Sequence, residues 1–309
     1  MKGSILVICA LALFPALGKA ASFECEKSRS PLEKAVCGDD YLSSLDSEVG
    51  RFYRTARQRP DLRADQRQWN KENAGQCFPA DDRTARQCLV RRYEERRLFL
   101  LDIVRGEALE KAPETWMGPY SFRQVAFQFS DSNKVSYIVL SKQPADVADA
   151  FNRLVVPSDK EFLNLCDDQS FEERVELVTD RIVTVRTDFW MYCEGAAHGY
   201  GSNSGKSIMM LPKPHLVEAA DLFRPDSPWQ QRLIEACVET VRGETDLGPE
   251  EEKMIHESAP NPRNWLVEAD ALIVQFGYLN GYAGGEIQAS VPWSRLDGLL
   301  VADPPFAPQ

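Results

Sequence analysis

Histidine is scarce in this chain, with three in 309 residues, at positions 198, 215 and 256, and no two of them stand at a metal-ligand spacing. No Cys-x-x-Cys pair occurs among the eight cysteines, which removes the redox and zinc-knuckle readings. Long apolar runs are missing as well. The longest, Ile5 to Leu17, covers 13 residues, short of the roughly 20 that a membrane-crossing helix needs. The nucleophile and phosphate motifs fail on inspection. Gly205-Lys206-Ser207 has Tyr200 where a phosphate loop requires glycine, and neither Ser202 nor Ser204 sits in Gly-x-Ser-x-Gly. The chain is therefore expected to carry no catalytic residues, no metal and no cofactor, and to be a binding protein rather than an enzyme.

What is present begins with an export signal. Lys2, the short apolar run and the small residues Gly18 and Ala20 form the three-part pattern of a secretory signal peptide over residues 1–20. Cys9 follows Ile8 and Cys25 follows Glu24, so neither cysteine stands where a lipid anchor attaches. The expected product is a periplasmic or secreted protein with no membrane anchor. Its seven remaining cysteines would enter an oxidising compartment, where three disulfides and one free thiol are the simplest account. For Cys25, Cys37, Cys77 and Cys88 all three pairings are open. Cys166 and Cys193 both flank sheet segments and are the expected pair in the second region, leaving Cys237 in a helix; an unpaired cysteine leaves a homodimer open. Charge divides the chain. Residues 22–105 hold 17 Lys and Arg against 15 Asp and Glu, whereas residues from 106 onward hold 17 against 32, a net charge of −15. Such a field attracts cationic partners and repels nucleic acid.

In the first region, Ser30-Pro31-Leu32-Glu33 reads as a capping box with proline at the first helical position, starting a short helix that ends near Gly38. Leu42, Leu45, Val49, Phe52 and Ala56 repeat by threes and fours and mark an amphipathic helix. Asp61 is placed as the cap of a third helix carrying Gln66 and Trp69. A turn is expected over residues 75–82, and a fourth helix, with Cys88, Leu89, Tyr93 and Arg96, is expected to end at Gly106. Trp69 reads as core at this spacing, and Arg91, Arg92, Arg96 and Arg97, interleaved with Glu94 and Glu95, read as a solvated, ion-paired helix face. The segments Phe23-Glu-Cys25, Ser30 to Cys37, Leu45-Asp46, Gln66 to Trp69 and Cys88-Leu89 to Tyr93 and Arg96 together resemble the N-terminal domain of the LprI-type lysozyme-inhibitor family. Asn73 departs from that pattern, which has an arginine one turn after the tryptophan. The resemblance implies an exported protein and lysozyme binding.

In the second region, residues 113–303, Phe122 to Phe129 and Val135 to Leu140 read as paired strands and Pro144 to Leu154 as a helix. Val175 to Val178 with Ile182 to Phe189 form a further hairpin, followed by strands over Lys206 to Leu211, Ala271 to Phe276 and Glu286 to Val291, a helix over Trp229 to Val241, and a short terminal helix over Pro292 to Leu300. The fold class is thus α + (α+β): a small disulfide-bonded helical bundle, then an α+β domain with a mainly antiparallel sheet. Glu194-Gly-Ala-Ala-His198-Gly199, Ala220-Asp221-Leu222-Phe223, Leu272 to Phe276, Tyr282 to Gly285 and Ser290 to Ser294 resemble the extracellular domain of lysozyme-sensing anti-sigma factors of the RsiV type, which some envelope polysaccharide deacetylases share.

These expectations converge on a lysozyme or lysozyme-like muramidase as partner. A loop of the acidic region would occlude the hydrolase cleft, with Tyr192, Glu194, His198, Tyr200, Tyr278 and Tyr282 at the contact and Glu194 pairing with cleft arginines. His198, in a glycine-rich loop, is more economically read as bonding its own backbone. Two other functions fit the same features: immunity against a delivered toxin hydrolase, and an envelope polysaccharide-modifying hydrolase.

Overall fold

The computed structural model describes residues 21–57, 59–78, 82–130, 132–158, 168–193, 195–277 and 286–306. Residues 1–20, where a signal peptide is expected, lie outside these residues. Contacts divide the chain into two units, between Val104 and Arg105.

The first unit is built on α1 (Pro31–Cys37), α2 (Asp40–Ala56), α3 (Pro60–Cys77) and α4 (Asp82–Lys111). The capping box at Ser30 closes: its hydroxyl accepts the Glu33 N–H at 3.1 Å and the Glu33 carboxylate accepts the Ser30 N–H at 2.9 Å. Asp39 caps α2 by accepting the Leu42 N–H at 3.0 Å, and the Arg86 guanidinium hydrogen-bonded to it holds its carboxyl below the usual carboxylate range. Leu42, Leu45, Val49 and Phe52 are buried with Leu89 and Leu100. Inside this core the buried Asp46 accepts the Tyr93 hydroxyl at 3.0 Å and the Ser22 N–H at 2.7 Å. Burial, with the neighbouring Asp46 charge, pushes the Tyr93 phenol well above its ordinary value. Trp69 packs its ring edgewise on Tyr93 at 5.0 Å, with the Arg96 guanidinium over it.

Several local expectations are revised. Asp61 is not a cap: Pro60 takes the first helical position, which suits its fixed φ and missing N–H, and Arg59 stands at the cap. No turn interrupts the chain at Gly75, and Gly106 does not end α4. Neither glycine has the positive φ of a C-terminal cap, so α3 runs on to Cys77 and α4 to Lys111. The arginines of α4 are ion-paired but not all solvated. Arg91 faces Glu95 on the surface, whereas Arg96, paired with Asp65, and Arg97, paired with Glu48 at 2.8 Å, are largely buried. Asn73, also buried, accepts from Arg92.

Two disulfides tie this unit, Cys25–Cys37 and Cys77–Cys88, enclosing 12 and 11 residues of sequence separation. The second joins the end of α3 to the first turns of α4. Loops of this length restrict the unfolded chain by about 2–4 kcal/mol. Replacing both Cys77 and Cys88 by serine is expected to lower the unfolding free energy by that amount, measured by denaturant titration of the oxidised protein and the variant.

The second unit contains a seven-stranded sheet in sequence order: β1 (Glu114–Met117), β2 (Tyr120–Ser130), β3 (Asn133–Ser141), β4 (Asp168–Val178), β5 (Ile182–Tyr192), β6 (Tyr200–Met209) and β7 (His215–Leu216). Neighbours are antiparallel except β3 and β4, which run parallel. A parallel step needs a crossover, and α5 (Ala145–Val155) supplies it. Its Phe151 and Val155 pack with Phe122, Ile138, Leu140, Val183, Val185 and Ile208 on one face of the sheet. Against the other face lies a three-stranded antiparallel sheet, β8 (Trp265–Val267), β9 (Ala271–Gly277) and β10 (Ile287–Pro292), in the order β10-β9-β8. With it come α6 (Ala219–Leu222), α7 (Trp229–Glu244) and α8 (Pro249–Ser258). The core on this side is aromatic: Phe223 stacks on Trp229 at 4.8 Å and Trp265 meets both edgewise. The mixed, mainly antiparallel character expected from the sequence is present. The terminal helix expected over Pro292 to Leu300 is not, because β10 continues to Pro292, paired with Ala271, and a short 3-10 turn follows over Trp293–Leu296.

Cys237 lies in α7 as a free, fully buried thiol, and burial pushes it up to about 12. A thiol in that position reaches no second chain. Cys193 is disulfide-bonded; its expected partner, Cys166, falls outside the described residues.

The two sheets join through hydroxyls. Thr184 of β5 donates to the Val267 carbonyl at 2.7 Å, Ser207 of β6 accepts the Val267 N–H at 2.8 Å, and the two hydroxyls lie 2.9 Å apart. Close approach here depends on Gly205, where a Cβ would stand 2.4 Å from the Val185 carbonyl oxygen and 2.6 Å from a Leu266 methyl. Gly205→Ala is expected to destabilise the unit by about 2–4 kcal/mol through backbone displacement, read as a lowered melting temperature.

Candidate functional site

The β5–β6 hairpin carries the residues that the sequence singled out, and its alternation decides which of them act together. Trp190 pairs across the strands with Gly201, Asp188 with Asn203 and Arg186 with Gly205; on the opposite face Met191 pairs with Tyr200, Phe189 with Ser202 and Thr187 with Ser204. Tyr192, adjacent to Met191, therefore projects from the Trp190 face, and Tyr200 from the other. His198 lies exposed in the connection, its Nδ1 3.0 Å from the Gly199 carbonyl oxygen. Glu194, Tyr278 and Tyr282 lie outside the described residues.

On the first face the glycines have a clear purpose. A Cβ on Gly199 would come within 2.2 Å of the Trp190 ring, and one on Gly201 within 3.1 Å. The indole thus lies directly on the glycine backbone, as a large ring does when it covers strand glycines, yet it remains 44% exposed, and Tyr192 remains 38% exposed. Sequence reading selected the Gly-rich segment but passed over Trp190; the cue was the pairing of a strand tryptophan with glycines a hairpin apart. Below the indole a polar row fixes the strands. Asn203 donates to Asp188 at 2.7 Å and accepts from Arg186 at 2.9 Å, while Asp188 is also paired with Arg174. The backbone of Asn203 on the open edge of β6 is met by two side chains: its N–H by Glu286, which precedes β10, at 2.5 Å and its carbonyl by Gln275 of β9 at 2.8 Å. Arg186 further pairs with Glu268. The carboxylates near the indole are thus engaged by guanidinium or amide groups, an arrangement that holds a surface in shape.

The opposite face opens into a cavity of about 300 Å3 between β4–β6 and the end of α5, with Phe171, Phe189 and Tyr200 along one side. The rings of Phe189 and Tyr200 meet edgewise at 6.1 Å. A second, more polar cavity of about 390 Å3 lies beside Asn203, Gln275 and Glu286. Among the described residues no group of three or more His, Cys, Asp or Glu is arranged to hold a metal ion, and no helix is long and apolar enough to cross a membrane.

No family model matches the chain, and no curated protein matches it. Solved structures do: a member of the DUF3298 family from Bacteroides fragilis aligns with a TM-score of 0.45 at 13% identity, over 62% of this chain and 98% of its own. A DUF3298 family protein from Pseudomonas aeruginosa aligns with a TM-score of 0.40 at 14% identity, over 65% of this chain and 99% of its own.

Proposed function

We propose that this chain is an exported binding protein that inhibits lysozyme-like cell-wall hydrolases by covering their active-site cleft with the end of the β5–β6 hairpin. The observation that carries the reading is the Trp190–Tyr192 pair, two half-exposed aromatic rings on one face of a strand whose backbone is braced by glycine contact and by the Asn203 network. Rigid aromatic groups of this kind are the usual anchors of a protein interface. The net charge of −15 beyond residue 105 supports the choice of partner, since an acidic surface speeds encounter with a cationic hydrolase. The two sequence resemblances point to the same class of partner. No catalysis is assigned to the chain in this reading.

The test is calorimetric binding of the purified protein to a panel of animal lysozymes and bacterial muramidases, with lytic activity followed in parallel. A one-to-one complex that abolishes lysis is expected, with an association rate that falls as salt rises. Trp190→Ala combined with Tyr192→Ala is expected to weaken the complex by at least about 2 kcal/mol, roughly thirtyfold, at unchanged melting temperature. Failure of every hydrolase to bind rejects the function; full inhibition by the double variant rejects the hairpin as the site.

A separate variant probes the glycine bed. Gly199→Ala is expected to push the indole off its seat, raising solvent exposure of Trp190 in fluorescence quenching and weakening the complex without removing any ring. An unchanged quenching constant would show that the ring does not depend on Gly199.

A further inference from the structure

On the sheet face opposite Trp190, the cavity beneath the end of α5 has the composition of a ligand site. Cross-strand pairing builds its floor in rows: Phe171, Phe189 and Ser202; then Glu173, Thr187 and Ser204; then Val175, Val185 and Lys206. Val155 and Pro157 close it from the side of α5. A volume of about 300 Å3 is at the lower end of small-molecule sites, roughly 300–1,000 Å3.

Three features give the cavity a direction. Lys206 is fixed at one end, its ammonium donating to the Leu154 carbonyl in the last turn of α5 at 2.7 Å, one of the carbonyls that a helix leaves unpaired at its C-terminus. An ammonium has three donors, and among the described residues Leu154 is the one hydrogen-bond partner of this one. In the adjoining row, the hydroxyls of Thr187 and Ser204 make no hydrogen bond among the described residues. The far end is walled by the rings of Phe171, Phe189 and Tyr200. Glu173, buried on the other side of Thr187, accepts the Ile138 backbone N–H at 3.2 Å.

We infer that this cavity binds a small amphipathic carboxylate, with the carboxylate on Lys206 and the neighbouring hydroxyls and the hydrocarbon body along Phe171, Phe189 and Tyr200. The site is separate from the hairpin surface that carries the proposed inhibition and stands whether or not that function holds. A charge-assisted hydrogen bond to a partly buried lysine discriminates against a neutral amide of the same shape, whereas the aromatic wall alone would not.

The experiment compares octanoate with octanamide by calorimetry on the purified protein. Saturable one-to-one binding of octanoate is expected, with octanamide about tenfold weaker or more. Lys206→Met, which keeps the aliphatic stem, is expected to lower octanoate affinity by the same factor and to leave octanamide unaffected. Because Lys206 also caps α5, Thr187→Leu serves as a second variant: it fills the floor, leaves the Lys206–Leu154 contact in place, and is expected to abolish binding of both probes at unchanged circular dichroism. Equal affinity for the two probes, retention of octanoate by either variant, or no saturable binding of octanoate overturns the inference.

Discussion

The second unit rests on how the backbone N–H and carbonyl of one buried residue, Val267, are satisfied. At the end of β8 its N–H and carbonyl are turned toward the seven-stranded sheet, where no strand edge is available to pair them. The hydroxyls of Ser207 and Thr184 take that part, bonded to Val267 and lying 2.9 Å from one another. A buried N–H left without a partner costs about 1–3 kcal/mol, so the two sheets fit together in one register and at one distance. Gly205 sets that distance by presenting nothing to Val185 and Leu266. The same few residues of β5 and β6 therefore fix the aromatic core around Trp265 and the pleat of the hairpin above it.

From that fixed pleat two surfaces follow with different chemistry. One face offers flat aromatic area backed by a saturated polar network; the other offers a recess with a cation and hydroxyls that have few partners. They alternate residue by residue along the same two strands, so a one-residue slip would exchange them. The Asn203 backbone, held by Glu286 and by Gln275 of β9, opposes such a slip and also covers part of the open edge of β6.

Much of this was legible in the sequence where the signal is local. The capping box at Ser30 and the three-four spacing of α2 depend on side chains within a turn of each other, and the first helix starts at Pro31 as expected. β5 was legible over Ile182 to Phe189, whereas β6 starts at Tyr200 and not at Lys206, because the glycine-rich segment pairs with β5 instead of forming a loop. Gly75 and Gly106 misled because glycine ends a helix only when the chain takes a left-handed φ there, which packing decides; Pro292 misled because a proline at a strand end looks like the start of a helix. Within the candidate site, the Gly199–Gly201 segment was visible but its reason was not. The cause is a tryptophan about ten residues away, brought over it by hairpin register. The sequence groups Tyr192 with Tyr200, whereas strand alternation sends them to opposite faces. Lys206 and Ser207 do not fit a phosphate loop; their neighbours are a helix end and the backbone of Val267, neither of which leaves a trace in local spacing.

The parallel step between β3 and β4 has a consequence for the order in which the large sheet assembles. Strands β1 to β3 form one meander and β4 to β7 another, each built from contacts near in sequence, which close quickly. The seam joins them over four paired positions, against ten between β5 and β6, and it requires the crossover through α5 to be in place first. The sheet is thus two fast-forming halves zipped along one short line.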